Sequence, residues 1–325
     1  MSPPLRIAVV STPRAGNTWV RHLLGAAYQV PHFARHFMAD ADWATLPAEV
    51  VLQIHWRREP GFVAKLAEHG FRVVTVARHP LDVLISILHF CVYESESEHW
   101  LLGAGGSESE IYATMPRSRA FIEYAKGPRA GELLAVTPDW WGQPGVLGLR
   151  YEDCVRDTDA ELQKIETAFG PIRAESREAV IENCSLGQLR KEAINNHFWK
   201  GSPGLWKLLL PTREAHEIAS TMTNAMLPFD YACDPNLNLS DLDADRNWAR
   251  FVGDEIKQTL RRSTEGHRAE LNVREEQLTE VAGHYEELVK RLEHSLVLSG
   301  PIARRLKELL VRYPRLGKWL RRRRT

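Results

Sequence analysis

The sequence lacks the marks of several protein classes. Its 325 residues include four scattered cysteines and no C-x-x-C pair, which predicts reduced thiols rather than a disulfide framework or a metal site. No apolar run reaches the roughly 18 to 20 residues that a membrane-spanning helix needs. The N-terminus leads straight into a strand-like segment, so we expect no secretory signal. These absences together predict a cytoplasmic protein.

Glycine is scarce where an ATP-binding loop would need it. That loop requires Gly, four residues and then Gly-Lys-Ser/Thr, whereas residues 7–20 contain Gly16 alone, followed by Asn17. The segment still reads as a buried strand, a tight turn and the start of a helix. Such a turn aims unpaired backbone N–H groups and the positive end of a helix dipole at one point. A point of this kind typically binds phosphate.

A second strand-to-helix segment, residues 73–90, carries an arginine and a serine at a spacing that suits a phosphate. Arg78 follows a strand-like run, and Ser86 lies four residues beyond Asp82, one turn into a helix-like segment. An arginine at a strand end can direct two N–H donors at a phosphate, and a nearby hydroxyl can bind a third oxygen. The segment therefore predicts a second phosphate-binding point.

Three further segments follow in the same order along the chain. They are the apolar run 51–54 that ends at His55, the strand-like run 146–150 that ends in Tyr151-Glu-Asp, and the Trp-Lys-Gly loop of residues 199–207.

This ordered set of motifs, over about residues 5–230, resembles the cytosolic type of the PAPS-dependent sulfotransferases, where PAPS is 3′-phosphoadenosine 5′-phosphosulfate. In that family the first loop holds the 5′-phosphosulfate, and the second segment holds the 3′-phosphate. The resemblance implies sulfuryl transfer to an acceptor hydroxyl, with PAPS as co-substrate and no metal requirement. It implies that PAPS is bound by Arg14, Ala15, Gly16, Asn17, Thr18, Trp19, Arg78, Ser86, Tyr151, Lys200 and Gly201.

The resemblance also assigns the chemistry. His55 stands where the family has its general base, and Arg14 stands where it has a lysine that stabilises the departing nucleotide. An unperturbed imidazole titrates near pH 6.5, which suits a base. Arginine keeps the positive charge of lysine but delivers a proton less readily, so the role of Arg14 is expected to be electrostatic.

Four positions depart from the family pattern. Gln53 replaces a lysine two residues before the histidine, and Trp199 replaces the arginine of an Arg-Lys-Gly loop. Leu205 replaces an aspartate in that same loop. Residues 184–186, Cys-Ser-Leu, stand where many members have Thr-Ser-Phe against the adenine, which leaves Trp19 as the main stacking surface.

Strand-like runs at residues 6–10, 50–54, 72–77 and 146–150 alternate with helix-like segments. This pattern predicts an α/β fold, a parallel sheet with helices on both faces. Ligands bind beyond the carboxyl ends of the strands in such folds, so both phosphate points and His55 should converge there. Residues 91–145 fit no regular pattern, and we interpret them as an irregular acceptor-side lid.

The C-terminal region differs in composition. Apolar residues recur at heptad positions over 271–292, which suits a coiled coil or helical hairpin, or else a single helix packed on the domain. Residues 301–325 contain ten Lys or Arg and one acid beside an apolar stripe, which is typical of a basic amphipathic helix on an anionic membrane. We predict a sulfotransferase domain at 1–235, a helical or coiled-coil extension at 236–299 and a basic tail at 300–325.

Several alternatives stay open at this point. The same scaffold suits a nucleotide kinase or ATPase, and the C-terminal features suit a non-catalytic membrane adaptor. The tail also suits a solvated charge run or, less well, a nucleic-acid-binding tail, and a coiled coil would make a homo-oligomer. The acceptor is a carbohydrate, a lipid-linked saccharide, or a small alcohol or phenol, and we expect no nucleic-acid partner.

Overall fold

The fold is known from a computed structural model. The structure describes residues 4–35, 41–91, 108–192, 199–263, 279–281, 283–288 and 290–291.

A five-stranded sheet forms the centre of the molecule. Its strands are β1 (Arg6–Val10), β2 (His32–Arg35), β3 (Val50–Ile54), β4 (Arg72–Ala77) and β5 (Val146–Arg150). All neighbouring strands are parallel, in the order β2-β3-β1-β4-β5. The predicted parallel α/β sheet is confirmed, with the four predicted strands at their predicted positions and β2 as an additional edge strand.

Alternate residues of the strands face opposite layers, which is why the strands read as continuous apolar runs. Ile7 and Val9 belong to the apolar cluster on one face, and Ala8 and Val10 belong to the cluster on the other. The helices that cover the first face are α1 (Asn17–Tyr28), α8 (Thr158–Phe169) and α9 (Arg177–Asn183). Those that cover the second are α2 (Pro60–Glu68), α3 (Pro80–Phe90), α4 (Arg119–Lys126), α5 (Pro128–Leu134) and α6 (Val136–Trp140).

Shorter elements complete the described chain. They are α7 (Tyr151–Arg156), α10 (Leu186–Glu192), α11 (Thr212–Ala219), α12 (Thr223–Met226), α13 (Asp241–Ser263) and the 3₁₀ turns Glu108–Ile111, Leu205–Leu208 and Leu227–Phe229.

The interpretation of residues 91–145 as irregular is wrong for the part that the structure describes. Helices α4, α5 and α6 follow one another there with almost no linker. Gly127 ends α4, and Pro128 begins α5, so each helix is too short to display a clear helical period. A buried ion pair between Arg129 and Glu108, with 2.7 Å between Nε and Oε1, holds this region together.

Part of the C-terminal region packs on the same core. Trp248 of α13 and the later residues Val281, Tyr285 and Leu288 belong to the apolar layer that contains α3. The Tyr285 hydroxyl donates to the carbonyl oxygen of Thr114 at 2.8 Å. At these positions the packed-helix alternative therefore describes the chain.

The remaining C-terminal predictions fall elsewhere. Half of the heptad segment 271–292 and the whole of the basic tail lie outside the described residues, and the domain boundaries stay predictions. In the part of the chain that is described, no helix has both the length and the apolarity that crossing a bilayer requires.

Candidate functional site

The loop between β1 and α1 is a tight turn at the carboxyl edge of the sheet. Its conformation needs a left-handed backbone at Arg14 (φ 66°) and at Gly16 (φ 105°). At Gly16 a side chain is also sterically excluded, because a Cβ atom would lie 2.5 Å from Cδ2 of Tyr151. Helix α1 begins at Asn17 directly after this turn, so its first N–H groups lack intrahelical partners and face the edge of the sheet.

His55 is buried at the end of β3 and is fixed in one orientation. Its Nδ1 lies 2.9 Å from the carbonyl oxygen of Ser11. Since a carbonyl oxygen only accepts, Nδ1 carries a proton, and in the neutral imidazole the lone pair is then on Nε2. The side-chain amide of Gln53 lies 3.4 Å from Nε2 and can donate to it. In the neutral form of His55, Nε2 is therefore the nitrogen that can accept a proton.

Arg14 is a partly buried cation. Its Nε donates to the hydroxyl of Ser86 at 3.2 Å, and its guanidinium lies 4.8 Å from the centre of the Phe90 ring. Burial, and then repulsion by Arg78, lowers the pKa of Arg14 to about 10. Arg14 is therefore still a cation at neutral pH, although its charge is poorly solvated.

Arg78 joins the two predicted phosphate segments. Its Nη1 donates to the carbonyl oxygen of Arg14 at 3.0 Å, and its guanidinium lies 4.5 Å from the centre of the Tyr151 ring. Its Nε is buried without a hydrogen-bond partner. A buried donor without a partner is costly, so a ligand that accepts from Arg78 would be favoured here.

The Trp-Lys-Gly loop is attached to the sheet edge at two points. The Tyr151 hydroxyl donates to the carbonyl oxygen of Gly201 at 2.7 Å. The buried carboxylate of Asp82, in the first turn of α3, accepts from the backbone N–H of Gly204 at 2.6 Å and of Trp206 at 3.0 Å. These contacts hold Lys200 and Gly201 beside the cavity.

A cavity of about 480 Å³ lies between these elements. Of the predicted site residues, it is lined by Arg14, Gly16, Asn17, Thr18, Trp19, His55, Arg78, Ser86, Tyr151, Lys200 and Gly201. Ala15 is the exception, because its side chain is buried in the apolar core. The positions that were predicted from separate segments therefore meet in one place.

Trp19 is positioned by a hydrogen bond and a ring contact. Its indole N–H donates to the carbonyl oxygen of Cys184 at 3.0 Å, and its ring meets that of Tyr151 edge to face, with 5.8 Å between centroids. Leu186 also lines the cavity. The described geometry keeps Trp19 at the cavity wall, where a flat base could stack on it.

Several residues of the site could not be predicted from the sequence. Asp82 was noticed only as a motif residue, because its partners lie 122 and 124 positions later in the chain. Arg21 and Arg35 also line the cavity, and only the spacing of Arg21 four residues after Asn17 could have indicated one of them.

The charge of the cavity wall has one sign. The described lining residues include Arg14, Arg21, Arg35, Arg78 and Lys200, and none of them is an aspartate or glutamate. Among the described residues, no group of three or more His, Cys, Asp or Glu side chains could hold a metal ion. The cavity is thus suited to an anionic ligand.

Comparison of the sequence with protein-family models gives one match. The family model described as "Sulfotransferase domain" matches residues 4–227. A search of curated proteins found no match.

Solved structures of similar fold include two enzymes. Mouse sulfotransferase SULT7A1 complexed with PAP has a TM-score of 0.53 and 16% identity, covering 70% of this chain and 89% of that chain. Retinol dehydratase in complex with androsterone and the inactive cofactor PAP has a TM-score of 0.49 and 15% identity, covering 71% of this chain and 84% of that chain.

Proposed function

We propose a mechanism for a chain that belongs to the sulfotransferase family: it transfers the sulfuryl group of PAPS to a hydroxyl of an acceptor, with His55 as the general base. The observation that carries the proposal is the state of His55, whose Nδ1 proton is held by the Ser11 carbonyl while Nε2 keeps a lone pair at the cavity. The family match favours this activity over the kinase and adaptor alternatives.

The residues present fit a nucleotide with phosphates at two ends. Arg78 Nε and Asn17 Oδ1 are buried without hydrogen-bond partners, and both residues line the cavity. Arg78 with Ser86 would hold the 3′-phosphate, and the first N–H groups of α1 with the Thr18 hydroxyl would hold the opposite end. Trp19 offers a ring surface for the adenine. PAPS would supply the sulfuryl group that is transferred.

Each catalytic step has a residue suited to it. Nε2 of His55 accepts the proton of the acceptor hydroxyl as that oxygen becomes a nucleophile. The cation of Arg14, fixed by Ser86 and Phe90, stabilises the negative charge that develops on the leaving side. Gln53 must release the Nε2 lone pair when the acceptor hydroxyl arrives, because one lone pair cannot accept both hydrogen bonds.

The direct test is His55→Ala. We expect turnover of ³⁵S-labelled PAPS with an acceptor extract to fall by roughly two to four orders of magnitude, the usual contribution of a positioned base. The affinity for adenosine 3′,5′-bisphosphate (PAP), measured by calorimetry, should stay within about twofold, since the imidazole serves the acceptor side. His216→Ala, an exposed histidine on α11, is the matched control. Near-wild-type turnover in His55→Ala would reject the assignment of the base.

The acceptor and the location of the enzyme extend the proposal. The acceptor carries a hydroxyl, and a saccharide or lipid-linked glycan suits an enzyme held at the cytoplasmic face of a membrane by its basic tail. Each basic residue near an anionic surface contributes about 1 kcal/mol.

Truncation after Gly300 should therefore abolish co-sedimentation with phosphatidylserine vesicles and leave turnover on a water-soluble acceptor unchanged. Binding of the full chain should weaken as salt rises, because the Debye length falls from about 10 Å at 0.1 M to 3 Å at 1 M. Equal sedimentation of the truncated and full chains would exclude the tail as the anchor.

A further inference from the structure

The sheet order divides the cavity into two ends. The residues that we assign to the nucleotide follow the central strand and the two strands on one side of it: Arg14 follows β1, Arg78 follows β4 and Tyr151 follows β5. His55 follows β3, and β2 lies beyond it at the edge of the sheet. An acceptor that presents its hydroxyl to His55 from the side opposite the nucleotide therefore lies over β2 and β3. We call the cavity wall formed by Ala34, Arg35, Gln53 and Arg21 the acceptor end.

Arg35 places a positive charge at this end. It is the last residue of β2, and its register partner on β3 is Ile54, the residue before His55. Nη1 of Arg35 donates to the carbonyl oxygen of Ala34 at 2.8 Å. A guanidinium has five N–H donors, so this contact leaves most of them able to bind a ligand.

Arg21 places a second charge there from the other wall. It lies on α1 one turn after Asn17, and the Asn17 side chain is 3.3 Å from Nδ1 of His55. The rings of His22 and His32, with centroids 4.6 Å apart, hold this part of α1 against β2. Nη2 of Arg21 lies 3.3 Å from Nε2 of His22, while its Nε is buried without a hydrogen-bond partner. Burial also lowers the pKa of Arg21.

These two charges need an explanation that the nucleotide does not supply. A buried guanidinium nitrogen such as Nε of Arg21 is stabilised by an anion or another acceptor, and the described lining residues contain no carboxylate. Arg35 is only partly buried, so its remaining donors are accessible to the same anion. The planar fork of arginine matches a carboxylate, phosphate or sulfate with two parallel hydrogen bonds. A neutral alcohol or phenol would leave both guanidinium groups without such a partner.

We propose that Arg21 and Arg35 bind an anionic group of the acceptor, so that the enzyme sulfates hydroxyls of compounds that already carry a carboxylate, phosphate or sulfate. This inference rests on the proposed function, since it takes the hydroxyl at His55 as the reacting group. The two arginines are specificity residues: they bind the acceptor away from the bond that forms.

The test compares acceptors that differ in one charged group. Glucose, glucuronate and glucose 6-phosphate share a ring and differ in the group at carbon 6; 4-hydroxyphenylacetamide and 4-hydroxyphenylacetate form a matched phenol pair. Binding to the full chain is measured with and without PAP, and kcat/KM is measured with PAPS. We expect wild-type protein to prefer an anionic member of at least one series by roughly tenfold or more, the usual value of hydrogen bonds to a charged group. The carboxylate and phosphate members show which anion is bound.

Variants identify the residues responsible. Arg21→Gln and Arg35→Gln should each remove most of the preference, and Arg35→Lys should retain part of it because the charge remains. Arg119→Gln changes an exposed arginine on α4 and should retain the full preference. PAP affinity should be unchanged in all four variants.

The outcomes separate the two proposals. Failure of wild-type protein to bind PAP would reject the proposed nucleotide, whereas the titrations without PAP would still measure the anionic preference. Absence of that preference in both series, or its survival in Arg21→Gln and Arg35→Gln together, would overturn the inference. Weakened PAP binding in both glutamine variants with unchanged acceptor preference would instead assign the arginines to the nucleotide.

Discussion

Gly16 is the position in the first loop that is least able to accept a side chain. Its φ of 105° lies in a region that residues with a side chain rarely adopt, and the Tyr151 ring occupies the space that a Cβ atom would need. The same ring donates its hydroxyl to Gly201 and stacks under Arg78. A change at Gly16 therefore reaches both phosphate segments through Tyr151.

Gly16→Ala should lower the free energy of unfolding by about 1–3 kcal/mol, because the left-handed backbone is strained for alanine and Tyr151 must move. PAP affinity should fall as well, since Tyr151 positions Arg78. Chemical denaturation and calorimetry measure the two effects. Gly61→Ala is the control: nothing lies within 4 Å of its Cβ position, and a helical alanine should leave stability unchanged or raise it by up to about 1 kcal/mol. Equal behaviour of the two variants would contradict this reading of the loop.

At the scale of elements, α3 links the second phosphate segment to the Trp-Lys-Gly loop. Every residue of α3 is buried, so the helix is fixed in place. The Asp82 carboxylate uses both oxygens to accept from the backbone of residues 204 and 206. These two hydrogen bonds attach the loop that carries Lys200 to the first turn of α3.

Asp82→Asn should cost about 1–3 kcal/mol of stability, because the new amide NH₂ group would face a backbone N–H that also donates. We expect PAP binding to weaken with it, as the loop separates from α3. The comparison is Asp234→Asn: this exposed carboxylate pairs with Lys207, the last residue of the same loop, and exposed pairs contribute about 1 kcal/mol or less. If both variants bind PAP as wild type does, the loop is not held by Asp82.

The elements show what the sequence could and could not predict. The strands β1, β3, β4 and β5 are predictable because strands buried on both faces read as continuous apolar runs. The edge strand β2 was missed because its four residues are only partly buried, which leaves no apolar run. The phosphate loops and His55 follow strands directly, so their convergence was predictable. Asp82, Arg21 and Arg35 were not, because their roles depend on partners that only the folded chain brings near.

At the scale of the whole molecule, residues near the C-terminal end of the described chain pack into the apolar layer that contains α3. Tyr285 is fully buried; its hydroxyl donates to Thr114 and lies 3.3 Å from the indole nitrogen of Trp248, which donates to it. This arrangement joins α13 and the residues around 285 to the segment between the 3₁₀ turn Glu108–Ile111 and α4. The core of the fold therefore extends past residue 227, where the family match ends.

Tyr285→Phe should lower the free energy of unfolding by about 1–3 kcal/mol, since the buried Trp248 N–H and Thr114 carbonyl would both lose a partner. PAP affinity should be unaffected, because Tyr285 does not line the cavity. Tyr112→Phe alters a more exposed tyrosine and should change stability by no more than about 0.5 kcal/mol. A neutral Tyr285→Phe would mean that the two hydrogen bonds of this hydroxyl add nothing to the stability of the domain.

The hydrogen bond between Asp82 and Gly204 also has a consequence for folding during synthesis. The two residues are 122 positions apart, and at roughly 5–20 residues per second a ribosome needs roughly 6 to 24 seconds to travel from one to the other. During that interval α3, which is buried along its whole length in the folded protein, is without the loop that covers its start. We therefore expect the nascent chain to be exposed to aggregation between the emergence of residue 90 and that of residue 206, which is a period when a chaperone would serve it.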